Sequence, residues 1–131
     1  MSVLTRADFF KPASRRYRMV SLPLGGKVRI QSLTAGETRS LRQSLLNNKG
    51  ELIKARGDRL QEILICACLV DESGNRLFSD SDAMSGDWDN FDSAAAAVIY
   101  QACKAWTGFG ADADFAAIED AIKNSESTQE S

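Results

Sequence analysis

The chain has 131 residues, 44% of them hydrophobic and 26% charged, and it contains no histidine. That length fits one domain with a hydrophobic core of its own. The missing histidines remove the commonest general acid, general base and metal ligand, and no apolar run approaches the roughly 20 residues that span a bilayer. Met1 to Phe10 lacks the apolar core of about 7–15 residues that marks a signal peptide, so a cytoplasmic protein is expected.

Net charge is only −2, but residues 1–60 carry 13 Lys and Arg against 4 Asp and Glu, while residues 61–131 carry 3 against 14. Such a split suits a nucleic-acid surface, or attraction between the two halves within a chain or head to tail between chains. The basic residues are scattered over several predicted elements, which favours attraction between halves. Cys66, Cys68 and Cys103 are odd in number and form no C-x-x-C pair. They read as buried thiols, with no disulfide framework and no metal site expected.

Residues 1–17 read as an irregular, partly flexible arm carrying Phe9 and Phe10, because Pro12 breaks any helix there. Residues 18–31 predict a β-hairpin. Val20, Leu22 and Leu24 alternate on one strand and Val28 and Ile30 on the other, with Gly25-Gly26 as the turn. Pro23 marks the first strand as an edge. Thr34 and Glu37 form a capping box that opens a helix running to about Asn48. Asp58 caps a second helix, whose stripe is Leu60, Ile63, Leu64 and Ala67. Ile65 to Val70 is branched enough for a strand, with helix preferred.

Asp71 to Asn75 predicts a turn, after which Leu77 and Phe78 re-enter the core. Ser79 and Asp82 make another capping box. The clearest helix spans about Asp92 to Thr107, with Ala95, Val98, Ile99, Ala102, Cys103 and Trp106 inward and Gly108 as its stop. A shorter helix follows over Asp112 to Lys123, with Phe115, Ile118 and Ile122 inward. Residues 124–131 are expected to be a disordered polar tail. The sum is a mainly α domain (18–123) of about four helices with a small N-terminal antiparallel β-hairpin, an α+β arrangement.

No catalytic constellation, phosphate loop or dinucleotide motif is present, so neither enzyme nor cofactor is expected. Asp71, Ser73, Asn75 and Asp82 match some positions of a calcium loop. Arg76 stands where that loop needs glycine, so a solvated turn is preferred. Arg15, Arg16, Arg18, Lys27 and Arg29 cluster near Tyr17, and nucleic-acid binding requires them to share one face. The late aromatics Trp88, Phe91, Trp106, Phe109 and Phe115 serve a core first and a protein-binding patch second.

The order of features resembles the tail assembly chaperones of long-tailed, siphovirus-type bacteriophages. The resemblance covers about residues 18–125. Two runs carry it: Val28-Arg29-Ile30-Gln31-Ser32-Leu33-Thr34-Ala35-Gly36-Glu37, and Cys68-Leu69-Val70-Asp71-Glu72-Ser73-Gly74-Asn75-Arg76-Leu77-Phe78. An acidic step at Asp80–Asp82, the Ala-rich helix and Ile122-Lys123-Asn124-Ser125 follow. Trp106-Thr107-Gly108-Phe109 departs from the Asn-Gly-Leu ending common there. The resemblance implies a non-catalytic chaperone that binds the phage tape measure protein, keeps it soluble and helps the tail tube protein polymerise around it. It implies a protein that works in the cytoplasm of the infected bacterium and is absent from the finished virion, and the split charge suits head-to-tail self-association into a homo-oligomer (ring or spiral). The residues expected to contact a partner are Phe9 and Phe10 on the arm and Trp106 and Phe109 among the late aromatics, with core packing the preferred reading for Trp106. The alternatives are a nucleic-acid-binding accessory protein or a structural head–tail component.

Overall fold

A computed structural model describes residues 3–10 and 15–129, the last five as backbone only. Pro12, the predicted breaker of the arm, lies outside the described residues. The fold is mainly helical, 56% helix, with a small N-terminal three-stranded antiparallel sheet and about four main helices.

A single helical turn, α1 (Arg6–Phe9), is closed by a capping box between Thr5 and Asp8. Strands β1 (Tyr17–Ser21) and β2 (Lys27–Gln31) form the expected hairpin, with Tyr17 opposite Gln31 and Ser21 opposite Lys27. The connection is longer than a bare Gly-Gly turn. The Gly25 amide donates to the Leu22 carbonyl, which places Pro23 and Leu24 at the corner. Gly25 and Gly26 then take φ of +95° and +83°, where a side chain would be strained. Pro23 therefore lies in the turn and not in the strand. Strand β1 is an edge because β3 (Leu69–Val70) occupies the other side of β2.

The Thr34–Glu37 box opens α2 (Ala35–Ser44) as expected. The helix stops short of Asn48 because Leu45 is pulled fully into the core and Leu46 pairs with Leu52 in an isolated bridge. Asp58 does not cap the next long helix. It ends the single turn α3 (Lys54–Gly57), and α4 (Leu60–Cys68) starts from Arg59 with no side-chain cap.

Helix α4 buries Leu60, Ile63, Leu64, Ile65, Cys66 and Cys68, more than one stripe. It packs against α5 (Ser93–Thr107) and the 3-10 turn Asp80–Met84, which the Ser79–Asp82 box opens. Asp92 caps α5 and Gly108 ends it in the left-handed region. The buried side of α5 is Ala95, Ala96, Ile99, Tyr100 and Cys103. Val98, expected inward, is exposed because it lies one position off the Ala95–Ile99–Cys103 row that faces α4. Leu77 also stays out, 51% exposed. Its amide continues the strand by donating to Leu69, so only the alternate Phe78 side chain turns toward the core.

Asp112 caps α6 (Ala113–Gln129), accepting from the Asp114 and Phe115 amides. The helix backbone continues past Lys123 into the segment expected to be disordered. Tyr100 donates to Glu119 at 2.8 Å, and Lys104 pairs with the same carboxylate at 3.0 Å, tying α5 to α6.

The turn Asp71–Asn75 is the tightest junction. The Asp71 carboxylate accepts from the Ser73 and Asn75 amides, and Gly74 takes φ of +86° directly under Tyr17. A Cβ on Gly74 would stand 2.8 Å from the Tyr17 hydroxyl oxygen. Relieving the clash would move the Tyr17 ring against the Arg29 guanidinium, 4.1 Å from its centroid. Gly74→Ala is therefore expected to cost about 2 kcal/mol through strain and clash together. Gly86→Ala, where an added Cβ meets nothing within 4 Å, should stay within about 0.5 kcal/mol. Urea unfolding midpoints of the two variants check this, and equal midpoints would contradict it.

Candidate functional site

An open cleft of about 780 Å³ lies between α2, α4, the end of β2 and the Gly74–Arg76 segment. Helix α2 supplies Gly36, Glu37, Ser40, Leu41 and Ser44, which recur at helical spacing and so form one face. That helix has no fully buried residue, which leaves this face open. Helix α4 supplies Ile63 and Ala67, one turn apart. With Leu33 and Leu41 they make an apolar floor.

The opposite wall exists because the last turn of α4 needs donors for its free carbonyls. Gln31 Nε2 donates to the Ala67 carbonyl at 2.9 Å. Arg76 donates to the Cys66 carbonyl through Nε at 3.1 Å and a terminal nitrogen at 2.8 Å, and pairs with Asp80 at 2.9 Å. A cation at a helix C-terminus is also favoured by the helix dipole. Gln31 is thus a buried polar residue with its hydrogen bond made, and both capping residues line the cleft.

Three arginines face this space. Arg15 forms a forked pair with Glu37 and donates to the Ser32 carbonyl at 2.9 Å. The hydrogen bond from Arg15, with help from the Thr34 amide and against partial burial, holds the Glu37 carboxyl down to about 2. Arg76 is satisfied as described. Arg56 differs. A terminal nitrogen reaches Ser44 Oγ only at 3.4 Å, and its Nε is buried without an acceptor. A buried donor left unmade costs about 1–3 kcal/mol, so this guanidinium is the least satisfied group of the cleft.

The four residues expected to contact a partner do not form one surface. Phe9 and Phe10 stand 71% and 73% exposed on the arm, with Arg6 5.2 Å from the Phe10 ring. Trp106 is half-buried, donates to the Arg16 carbonyl at 3.2 Å and is covered by the Arg16 guanidinium at 4.5 Å. Phe109 is a correction: it is 2% exposed and packs on Phe115 at 4.4 Å, so it is core and out of a partner's reach. The left-handed Gly108 turns the chain back and drives that ring inward.

The basic cluster does not share one face. Arg18 lies opposite Ile30, on the side of the sheet that buries Val20 and Ile30, and with Arg16 covers Trp106. Arg29 and Lys27 lie on the other side, with Tyr17 and Ser21. Asp71 spends its carboxylate on its own turn and Asp82 on the Ser79 amide, so the partial calcium pattern does not close into a loop. All three cysteines are buried free thiols. Burial pushes Cys66 up to about 11, and a hydrogen bond with Cys68 together with burial raises Cys103. Among the described residues no three acidic or cysteine side chains converge to hold a metal.

No family model, curated protein or solved structure matches the chain.

Glu37 has a depressed folded pKa, so its pair contributes stability above the ordinary value of 4.5 and loses it as pH falls toward about 2. Arg15→Ala should return the Glu37 pKa toward 4.5 and remove that part of the acid sensitivity. A carboxyl NMR titration reads this, and an unmoved Glu37 would show that Arg15 is not the cause.

Proposed function

We propose that this chain is a tail assembly chaperone of a long-tailed bacteriophage, a binder and not an enzyme, whose cleft holds a helical segment of the tape measure protein. One observation carries the reading. The two runs that resemble such chaperones, Val28–Glu37 and Cys68–Phe78, lie far apart in sequence and yet wall the same cleft. Gln31, Leu33 and Glu37 come from the first, and Gly74, Asn75 and Arg76 from the second.

The chemistry is that of an amphipathic helix in a groove. The apolar floor takes side chains at helical spacing, and Arg56 takes a carboxylate from the client. A long tape measure helix offers many such sites, so individually weak contacts add up along it. The chaperone works in the infected cell's cytoplasm and leaves before the particle is complete. Mass spectrometry of purified particles should therefore lack this chain, whereas a structural head–tail component would be retained. A nucleic-acid role gains little support, because the basic side chains lie on both sides of the sheet.

Co-expression with the tape measure protein of the same phage tests the reading. The client should become soluble and co-purify with excess copies of this chain; an insoluble, unbound client would overturn it. Ser40 is exposed and lines the cleft, so Ser40→Trp should fill the space without unfolding the chain. Binding should weaken at least about tenfold, or about 1.4 kcal/mol. Arg56→Met removes an unmade donor, so thermal stability should hold or rise while client binding falls. Two variants that solubilise the client like wild type would exclude the cleft.

A further inference from the structure

We infer that the outer edge of β1 takes up an extended, acidic segment of a partner protein as a fourth strand of the sheet. The ladder fixes which backbone groups are free. The Leu22 amide donates to the Gly26 carbonyl and the Ser32 amide to the Arg16 carbonyl. With that register, Arg18 and Val20 are the residues of β1 that exchange hydrogen bonds with β2. The amides and carbonyls of Tyr17, Met19 and Ser21 therefore point away from the sheet. No strand lies beyond them among the described residues, because the sheet order is β1-β2-β3. All three residues are exposed, Met19 by 57%.

A sheet edge is disarmed by a bulge, a proline, a covering segment or charge. Among the described residues β1 uses charge alone. Its pairing runs without a bulge from Tyr17 to Ser21, and Pro23 lies in the turn. The charge has one sign, since residues 9–36 hold six Lys and Arg and no Asp or Glu. Arg15 is taken up by Glu37, Arg16 by Trp106, and Arg29 by Tyr17 and the Glu72 carbonyl. Arg18 and Lys27 are exposed and pair with no carboxylate among the described residues. Arg18 lies on the Ile30 side of the hairpin and Lys27 on the Ser21 side, so an added strand meets an open cation on each face.

Charge decides the occupant. A second copy would bring the same cationic edge, and like charges set opposite one another across a strand pair repel. None of the three strands among the described residues carries an acidic residue, so the chain does not supply its own complement. A different protein does, where an extended segment sets a carboxylate beside Arg18 and an apolar side chain beside Met19. The main-chain bonds to Tyr17, Met19 and Ser21 then give affinity, and the alternating side chains give selection. Neither Arg18 nor Met19 lines the α2–α4 cleft. This surface is therefore additional to the one proposed for the helical client and does not depend on it.

Amide NMR on the full chain tests the inference with a synthetic peptide, Glu-Thr-Glu-Val-Glu-Thr-Glu, capped at both ends. The peptide should bind with a Kd below about 1 mM. It should slow amide exchange at Tyr17, Met19 and Ser21 and change Arg18 and Val20 little, because their amides are already bonded to β2. The same peptide N-methylated at every amide keeps its charges and loses its donors, so it should bind at least about tenfold more weakly. The counterpart with lysine for glutamate should not bind. Met19→Pro removes one outward donor and no ladder bond, a place where an edge strand tolerates proline. That variant should stay folded by circular dichroism and bind the acidic peptide at least about tenfold more weakly. Arg18→Glu, an exposed charge reversal, is the second variant should the first not fold. An acidic peptide that fails to bind, an N-methylated or lysine peptide that binds equally, or a folded variant that binds like wild type would each overturn the inference.

Discussion

Helix α4 cannot face water, and the rest of the molecule is arranged around that fact. Leu64, Ile65, Cys66 and Cys68 are fully buried, and Leu60 and Ile63 nearly so. Fully burying a Leu or Ile side chain contributes roughly 1.5–3 kcal/mol, so a nine-residue helix with this composition must be covered on more than one side. Helix α5 covers it with its Ala95–Ile99–Cys103 row, and the Asp80–Met84 turn covers it with Ala83. The chain leaves α4 directly into β3, so the same segment that fills the core also completes the sheet.

Covering α4 leaves its last carbonyls to be answered by side chains, and that requirement shapes the cleft. Gln31 and Arg76 reach in from different segments, which fixes β2 and the strand after the Asp71–Asn75 turn on one side of the space. Helix α2 closes the other side with a face that buries nothing completely. The result is a groove with an apolar floor whose walls are held by groups already used in the fold. Arg56 is the exception. Its Nε is buried and meets no acceptor among the described residues, which costs the fold stability.

Much of this was legible in the sequence where the rule is local. The capping boxes at Thr34–Glu37 and Ser79–Asp82, the Gly108 stop and the Asp71–Asn75 turn each depend on residues within four positions of one another. One miss was local: Asp58 reads as a cap, but the adjacent turn α3 takes it as its end. The others were decided at long range. Val98 and Leu77 read as core by periodicity, yet the direction from which α4 and β3 arrive turns them outward. Phe109 reads as a contact residue because nothing local reports that Phe115 lies against it. The cleft joins residues 15 to 80 and has no contiguous signature. Its traces in the sequence are separate pieces: the recurrence of Glu37, Ser40, Leu41 and Ser44 along one face of α2, and the runs Val28–Glu37 and Cys68–Phe78 that supply its walls.

On our proposal a tape measure segment sits in the α2–α4 cleft. Amide hydrogen exchange on the chain with and without the tape measure protein tests it most directly. The account predicts slowed exchange along α2, in the last turn of α4 and in residues 74–76, with α6 little changed. Protection confined to the arm or to α6, with α2 exchanging as in the free protein, would contradict it.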